Sequence, residues 1–218
     1  MTERGEKGTR KAIRHKKGAY HHGDLRRALI DTAARLAAKR GVAGVTIRKV
    51  AAETGVSHAA PYHYFPTREA LLAAIAEEGF SRFDEAQDEA LRGAGPDPRE
   101  RLRALGTSYV RFAIHNPYYF RVMFRPEFRK LEGYPALAEV SSRVFDRLID
   151  TVRANMAGTG SPEKDPMLPS ILAWSAVHGL ASLWLDGPLP TKTPAETQIE
   201  TIAQWVARAV SDALVSGR

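Results

Sequence analysis

Residues 46–66 read TIRKVAAETGVSHAAPYHYFP, and this stretch decides how the rest of the chain is interpreted. Thr46 stands directly before Ile47 and Val50, which are apolar and at helical spacing, so we expect Thr46 to be the N-cap of a helix. Gly55 follows about two turns later, where a glycine commonly ends a helix in the left-handed conformation. The first part of the stretch therefore predicts one short amphipathic helix followed by a tight turn.

A second helix is expected to begin almost at once, with Ser57 as its N-cap, and to run through Tyr64 until Pro66 stops it. Two short helices joined by a tight turn form a helix-turn-helix, whose second helix reads the major groove of DNA. The positions expected to face outward are hydrogen-bonding or aromatic, which suits phosphates and base edges; they are Ser57, His58, Tyr62 and His63. Pro61 lacks an N–H group, so the first turn of this helix is expected to be distorted.

Helical periodicity continues on both sides of this stretch. Apolar residues at steps of three and four predict a helix from Asp24 to about residue 40, and Thr67 is the expected N-cap of a longer helix to about Leu91. No convincing alternation of period two is present, so we expect an all-α chain of about nine helices. Further helices are predicted at about 99–115, 136–156, 167–185 and 195–215, with an aromatic stretch at 118–124.

The positive charge is concentrated at one end of the chain. Residues 1–68 carry 15 Lys and Arg against 5 acidic residues, whereas residues 69–218 carry 17 against 20. A basic third joined to a slightly acidic remainder favours contact of the first part with a polyanion over a merely solvated surface. We expect three parts, namely a disordered basic arm at 1–22, a helix-turn-helix domain at 23–68 and a regulatory and dimerisation domain at 69–218.

The segment from Thr46 to Pro66, followed by a newly capped helix, resembles the DNA-binding region of the TetR family of transcriptional regulators. The segments at 20–26 (YHHGDLR) and 59–62 (AAPY) resemble one branch of that family. Residues 174–180 (WSAVHGL) are similar to the WHG-type C-terminal region of the same branch. The resemblance therefore touches both ends of the chain, and it implies a ligand-responsive repressor that binds a palindromic operator as a homodimer.

The resemblance also implies which residues face the DNA. Thr46 and Thr67 lie at helix N-termini, which favour phosphates, and Tyr62 is expected to grip the backbone. Ser57, His58 and Ala59 open the reading helix and are best placed for base edges. The full implied set is Thr46, Arg48, Ser57, His58, Ala59, Tyr62, His63, Tyr64 and Thr67. Two roles stay open for the basic arm: it follows the minor groove, or it raises affinity through counterion release.

For residues 69–218 the resemblance implies a pocket for a small, largely apolar inducer, whose occupancy shifts the spacing of the two DNA-binding heads. Candidate wall residues are Tyr109, Phe112, Phe120, Met123, Phe124, Trp174 and His178, each of which simple core packing would also explain. The helix at 167–185 is apolar nearly all round, and the last helix carries an apolar stripe. Both helices are therefore expected to form the homodimer interface.

Several classes of function lack residues to support them. The chain has no Cys, no phosphate-binding glycine loop and no nucleophile elbow, so we expect no enzymatic activity and no cofactor. His21, His22, His58 and His63 have no carboxylate or Cys at recognisable ligand spacing, so we expect no metal. Residues 167–185 reach the length of a membrane span, yet Pro169, three serines and His178 favour a buried helix.

We expect a cytoplasmic protein, because the first residues lack the apolar stretch of a secretion signal. Two other functions are kept as alternatives: a sequence-independent DNA-binding protein, which the basic arm alone would suit, and an enzyme using the C-terminal pocket.

Overall fold

The computed structural model describes residues 22–128, 133–157, 165–194 and 198–216. These ranges contain nine α-helices and no β-strand, which confirms the all-α prediction. The helices are α1 (His22–Arg40), α2 (Ile47–Thr54), α3 (Arg68–Gly93), α4 (Pro98–His115), α5 (Pro117–Met123), α6 (Pro135–Ala157), α7 (Met167–Leu185), α8 (Leu189–Lys192) and α9 (Ile199–Ser216). The predicted basic arm lies outside the described residues except for His22, which is the first residue of α1.

The helix-turn-helix begins as the sequence predicts. The Thr46 hydroxyl oxygen accepts a hydrogen bond from the backbone N–H of Lys49 at 3.3 Å, which caps α2. Gly55 ends α2 with φ of 78°, a left-handed conformation that favours glycine because it has no Cβ. Local chemistry therefore fixes both ends of this helix.

The predicted second helix is not a regular α-helix, so that expectation is wrong in type. Ser57 accepts from the N–H of Ala60 at 3.3 Å, and residues Ala60–His63 form a single 3₁₀ turn. The N–H of Tyr64 bonds to the carbonyl of Pro61, three residues back. Pro61 has no N–H to give an α-helical bond, and its fixed φ suits the tighter turn. The helical part of the reading segment, residues 57–64, is therefore shorter than the sequence predicts.

The long helix α3 connects the helix-turn-helix to the rest of the chain. Thr67 caps it by accepting from the N–H of Ala70 at 3.1 Å, as predicted. Gly79 in its middle lets α5 approach closely, because a Cβ there would lie 2.8 Å from Met123 Sδ and 3.2 Å from Tyr119 Cβ. One hydrophobic core runs continuously from α1 to α9, so the boundary at residue 68 stays a prediction.

The C-terminal helices pack around α4, which contacts α3, α6, α7 and α9. Asp97 caps α4 by accepting from the N–H of Arg99 at 2.8 Å, and Pro98 occupies the first helical position. The short helix α8, between α7 and α9, was not predicted from the sequence. This arrangement leaves a cavity inside the bundle.

Helix α7 is only partly covered. It is long and apolar enough to span a membrane. Of its most apolar 18-residue stretch, 28% is buried within the chain. The sequence predicts that this helix is buried on nearly all sides. Within the single chain, most of its surface is not buried. Its exposed apolar residues lie towards both ends and are Met167, Leu168, Ile171, Leu172 and Leu183.

Candidate functional site

The surface around α2 and the 3₁₀ turn carries most of the residues predicted to face DNA. Tyr62 is 49% exposed, far more than an aromatic side chain in a core. The exposed members of the predicted set are Arg48, Ser57, His58, Ala59, Tyr62, His63 and Thr67. Thr46 and Tyr64 are half-buried, and Tyr64 packs against the core with its ring 6.4 Å from that of Phe65. Exposed donors and acceptors at this surface suit a polyanion with hydrogen-bonding edges.

Arg68 makes a structural contact beside this surface that the sequence did not predict. It is the first residue of α3, and its guanidinium donates to two backbone carbonyls in the connection before α2. Nε donates to Val45 O at 2.8 Å and a terminal nitrogen donates to Val42 O at 2.8 Å. These two charge-assisted bonds therefore tie the connection before α2 to the start of α3, a helix that also lines the cavity.

A second set of contacts joins α1 to α3 and α5. Arg27 on α1 pairs with Glu78 on α3 at 2.9 Å, and Arg82 on α3 pairs with the same carboxylate at 2.6 Å. The Arg82 guanidinium also lies 4.8 Å from the ring centroid of Tyr119 on α5. Burial raises the pKa of Tyr119 to about 12, so its hydroxyl stays neutral at physiological pH. Three helices thus meet at one mixed ionic and aromatic contact.

The helices of the C-terminal part enclose a cavity of about 630 Å³. This volume is in the range of pockets that hold small molecules. Its walls are mainly apolar, with aromatic rings from α3, α4, α6 and α7 and from the segment that follows α5. Five of the seven residues predicted for a pocket line it, namely Tyr109, Met123, Phe124, Trp174 and His178.

Phe112 and Phe120 do not line the cavity, and this corrects their predicted position. The ring of Phe112 lies 5.0 Å from that of Phe83, and the ring of Phe120 lies 5.9 Å from that of Tyr109. Both side chains are buried behind wall residues rather than at the cavity surface. Helical spacing places them near the correct region, but it cannot tell the first layer of side chains from the second.

Other wall residues were not among those predicted for the pocket. Gly106 on α4 lies against α9, where a Cβ would stand 3.0 Å from the Cβ of Ala207. Ser141, Phe145 and Leu148 on α6 also line the cavity. These positions depend on how α4, α6 and α9 pack, which no local pattern specifies.

Three side chains form a hydrogen-bonded chain at the cavity wall. The Tyr109 hydroxyl lies 2.6 Å from His178 Nδ1, and Trp174 Nε1 donates to the same hydroxyl at 3.2 Å. Burial lowers the pKa of His178, which favours the neutral imidazole. Burial also raises the pKa of Tyr109, which keeps its phenol protonated. A mainly apolar cavity therefore has one hydrogen-bonded group of three side chains at its wall.

The histidines do not build a metal site within the described residues. No group of three or more His, Cys, Asp or Glu side chains there is arranged to hold a metal ion. His21 lies outside the described residues, and the side chain of His22 is not described either.

Two family profiles match the chain. Residues 29–75 match "Bacterial regulatory proteins, tetR family", and residues 102–210 match "Tetracyclin repressor-like, C-terminal domain". Neither match tests the predicted WHG-type subdivision, which stays a prediction. The first profile covers the helix-turn-helix, and the second covers α5, α6 and α7 and most of α4 and α9.

Individual proteins are also similar over most of the chain. The HTH-type transcriptional repressor KstR of Mycobacterium tuberculosis is 28% identical in an alignment 167 positions long that covers 72% of this chain and 74% of KstR. A protein with unknown function from Rhodococcus sp. RHA1 is 31% identical with a TM-score of 0.73, covering 92% of this chain and 98% of that one. The regulator FadR of Bacillus subtilis, solved in complex with stearoyl-CoA, is 18% identical with a TM-score of 0.67, covering 88% and 98%. This last similarity shows a shared fold.

Proposed function

The chain belongs to the TetR family of bacterial regulatory proteins, and on that premise we propose that it is a ligand-responsive repressor binding a palindromic operator as a homodimer. Members of the family are DNA-binding transcription regulators, as the sequence predicts. One observation carries the proposal: a capped helix-turn-helix and an apolar cavity occur in one chain, and α5 contacts both regions.

In this proposal the exposed residues of the reading segment contact base edges. Ser57, His58 and Ala59 precede the 3₁₀ turn and are exposed, so their side chains are free to enter the major groove. Arg48, Tyr62 and His63 supply backbone contacts from the same surface. Thr46 and Thr67 contribute mainly through the N–H groups of the helices they cap, because their hydroxyls already accept internal bonds.

The homodimer forms through α7 and α9 in this proposal. Leu168 on α7 is 68% exposed and Trp205 on α9 is 70% exposed. Apolar side chains of this size, exposed on two helices that contact each other, mark an interaction surface. Pairing α7 and α9 with their symmetry mates would cover these residues and give a two-fold axis, which matches the symmetry of a palindrome. We propose that the second subunit, rather than lipid, covers the exposed face of α7.

The cavity holds the inducer, which we propose to be largely apolar. Its aromatic and aliphatic wall favours such a molecule, because burying apolar surface supplies the affinity. FadR of Bacillus subtilis, which shares the fold, was solved with stearoyl-CoA, a molecule with a long apolar chain. We propose a cytoplasmic location, where the regulator meets both operator DNA and metabolites.

Ligand occupancy reaches the DNA-binding surface through α5. Met123 on α5 and Phe124 just after it line the cavity, while Tyr119 on α5 packs under Arg82 beside α1. A ligand that displaces the Met123 side chain moves a short helix that also contacts the turn before α2. We propose that this movement changes the spacing of the two DNA-binding heads in the dimer.

A titration of labelled DNA tests the proposal against its alternatives. The region upstream of the gene and a shuffled fragment of the same composition compete for the protein at several salt concentrations. A specific repressor prefers the upstream region at every salt concentration, whereas a sequence-independent binder shows equal affinities that fall together with salt. No DNA binding at low salt would remove both DNA-binding functions and leave the enzyme alternative.

A further inference from the structure

The polar chain at the cavity wall has a fixed direction of hydrogen donation. Trp174 Nε1–H is a donor only, so the Tyr109 oxygen accepts from it at 3.2 Å. The Tyr109 hydroxyl is buried and meets no other acceptor within the described residues, so its single hydrogen goes to His178 Nδ1, 2.6 Å away. Since the imidazole is neutral and Nδ1 accepts, the proton of His178 lies on Nε2. Trp174 and Tyr109 together therefore hold His178 as a donor at Nε2.

The Nε2–H group has no acceptor within the part of the chain that the structure describes. His178 lines the cavity, and its ring is surrounded by other rings, with the centroid of Phe124 at 4.9 Å and that of Phe120 at 5.3 Å. Aromatic rings accept hydrogen bonds only weakly. A donor held in this setting is best satisfied by an acceptor that enters with a ligand.

The other residues of the cavity wall indicate whether the ligand carries a charge. Arg125 is the single charged residue among the described residues that line the cavity, and its Nε donates to Glu127 at 3.0 Å. A charged group buried here would compete with that pair or remain unpaired, at a large desolvation cost. Gln87 already uses its amide oxygen to accept from Arg147 at 3.3 Å. The wall therefore favours an uncharged molecule.

Resting on the proposed function, we infer that the inducer is an uncharged apolar molecule with a carbonyl-type acceptor, and that this oxygen accepts a hydrogen bond from His178 Nε2. Trp174 and Tyr109 are positioning residues in this arrangement, because they act through the imidazole. The rings of Phe124 and Trp174, which line the cavity beside His178, bind the apolar part of the ligand, and the single acceptor fixes its orientation.

Two naphthalene probes test this inference on the full-length dimer. One is an acylnaphthalene ketone with environment-sensitive fluorescence, and the other is the matched alkylnaphthalene, in which a methylene replaces the carbonyl. We expect the wild type to bind the ketone about tenfold more tightly, because the alkyl probe leaves the His178 donor unpaired. In H178F this preference is lost, while S175A, which removes another polar group of the wall, retains it.

Infrared spectroscopy gives a second readout on the bound ketone. The carbonyl stretch shifts to lower frequency when the oxygen accepts a hydrogen bond, so it lies lower in the wild type than in H178F. In Y109F the imidazole loses the partner that fixes its tautomer, and we expect an intermediate shift. Should H178F fail to fold, the comparison of wild type with Y109F still decides the matter, since an identical carbonyl frequency in both would overturn the inference.

The outcomes separate this inference from the proposed function. Equal binding of both probes, or a ketone preference that persists in H178F, overturns the role of His178 and leaves an apolar inducer cavity in place. Binding of neither probe overturns both the inference and the inducer-binding part of the proposed function. Operator affinity, measured on the same protein without a probe, reports separately on DNA recognition.

Discussion

The Nε atom of Arg68 donates a hydrogen bond to the carbonyl oxygen of Val45 at 2.8 Å, across the joint between α3 and the helix-turn-helix. A second bond from the same guanidinium reaches Val42 O. The two bonds explain how a helix shared with the cavity holds the DNA-binding surface in a defined orientation, and they lead to the first prediction.

R68A removes both bonds at once. We expect a loss of about 2 kcal/mol in the free energy of unfolding, because hydrogen bonds from a charged group are stronger than average. R68K is expected to recover only part of this loss, since an ammonium cannot reproduce the fork of the guanidinium. Urea unfolding of both variants measures these losses of stability.

The control for Arg68 is R48A on the exposed surface of α2. It is expected to lower operator affinity while changing the free energy of unfolding by less than about 0.5 kcal/mol. A similar loss of stability in both variants would contradict the assigned role of Arg68.

The exposed ring of Tyr62 is predicted to grip the DNA backbone. Y62A should weaken binding to operator and shuffled DNA by the same factor, because a backbone contact carries no sequence information. Competition titrations with both fragments measure this factor. A loss confined to the operator would show instead that Tyr62 reads a base.

The dimer interface is tested at Leu168. L168E is expected to raise the dimer dissociation constant at least about a hundredfold, because the two-fold axis places the buried carboxylate in the interface twice. Sedimentation velocity measures the change, with A154E on the exposed surface of α6 as the matched control. If L168E remains as dimeric as A154E, the interface lies elsewhere.

The cavity is tested by filling it at Ala173, a buried residue of its wall on α7. A173F should reduce binding of the ketone probe at least about tenfold and leave operator affinity unchanged, since the added ring enters space that is otherwise empty. Fluorescence titration and thermal unfolding check both points. A variant that unfolds well below the wild type would show that the space is already packed.

The buried imidazole of His178 makes stability depend on pH. Burial lowers its pKa in the folded protein, so below about pH 6.5 the unfolded chain binds the proton more readily and the wild type loses stability. As the pH falls, we expect the unfolding free energy of the wild type to decrease relative to that of H178F. Urea unfolding at several pH values measures this difference, and a value independent of pH would contradict the burial.

Local chemistry explains which features the sequence predicts. The ends of α2 and the start of α3 depend on the side chains of Thr46 and Thr67 and on the backbone freedom of Gly55, all of which act within a few residues. Pro61 signals a distorted turn for the same reason, although the sequence does not show that the predicted helix is reduced to a 3₁₀ turn at Ala60–His63.

Features that join distant parts of the chain were not predictable. Arg68 contacts carbonyls 23 and 26 residues away, and Tyr109 meets His178 across 69 residues. The cavity wall was only partly predicted, because helical spacing indicates that Phe112 and Phe120 face inward but not that other rings lie in front of them. Such relationships depend on how helices pack against each other.

The central claim is that residues 46–67 read a specific operator, and the specificity ratio tests it most directly. This ratio compares the affinity for the upstream region with that for shuffled DNA at a fixed salt concentration, in the wild type and in H58A. We predict a ratio of about 1,000 or more for the wild type, and a clear fall for H58A with an unchanged salt dependence. A wild-type ratio near one, or the same ratio in both proteins, would contradict the account.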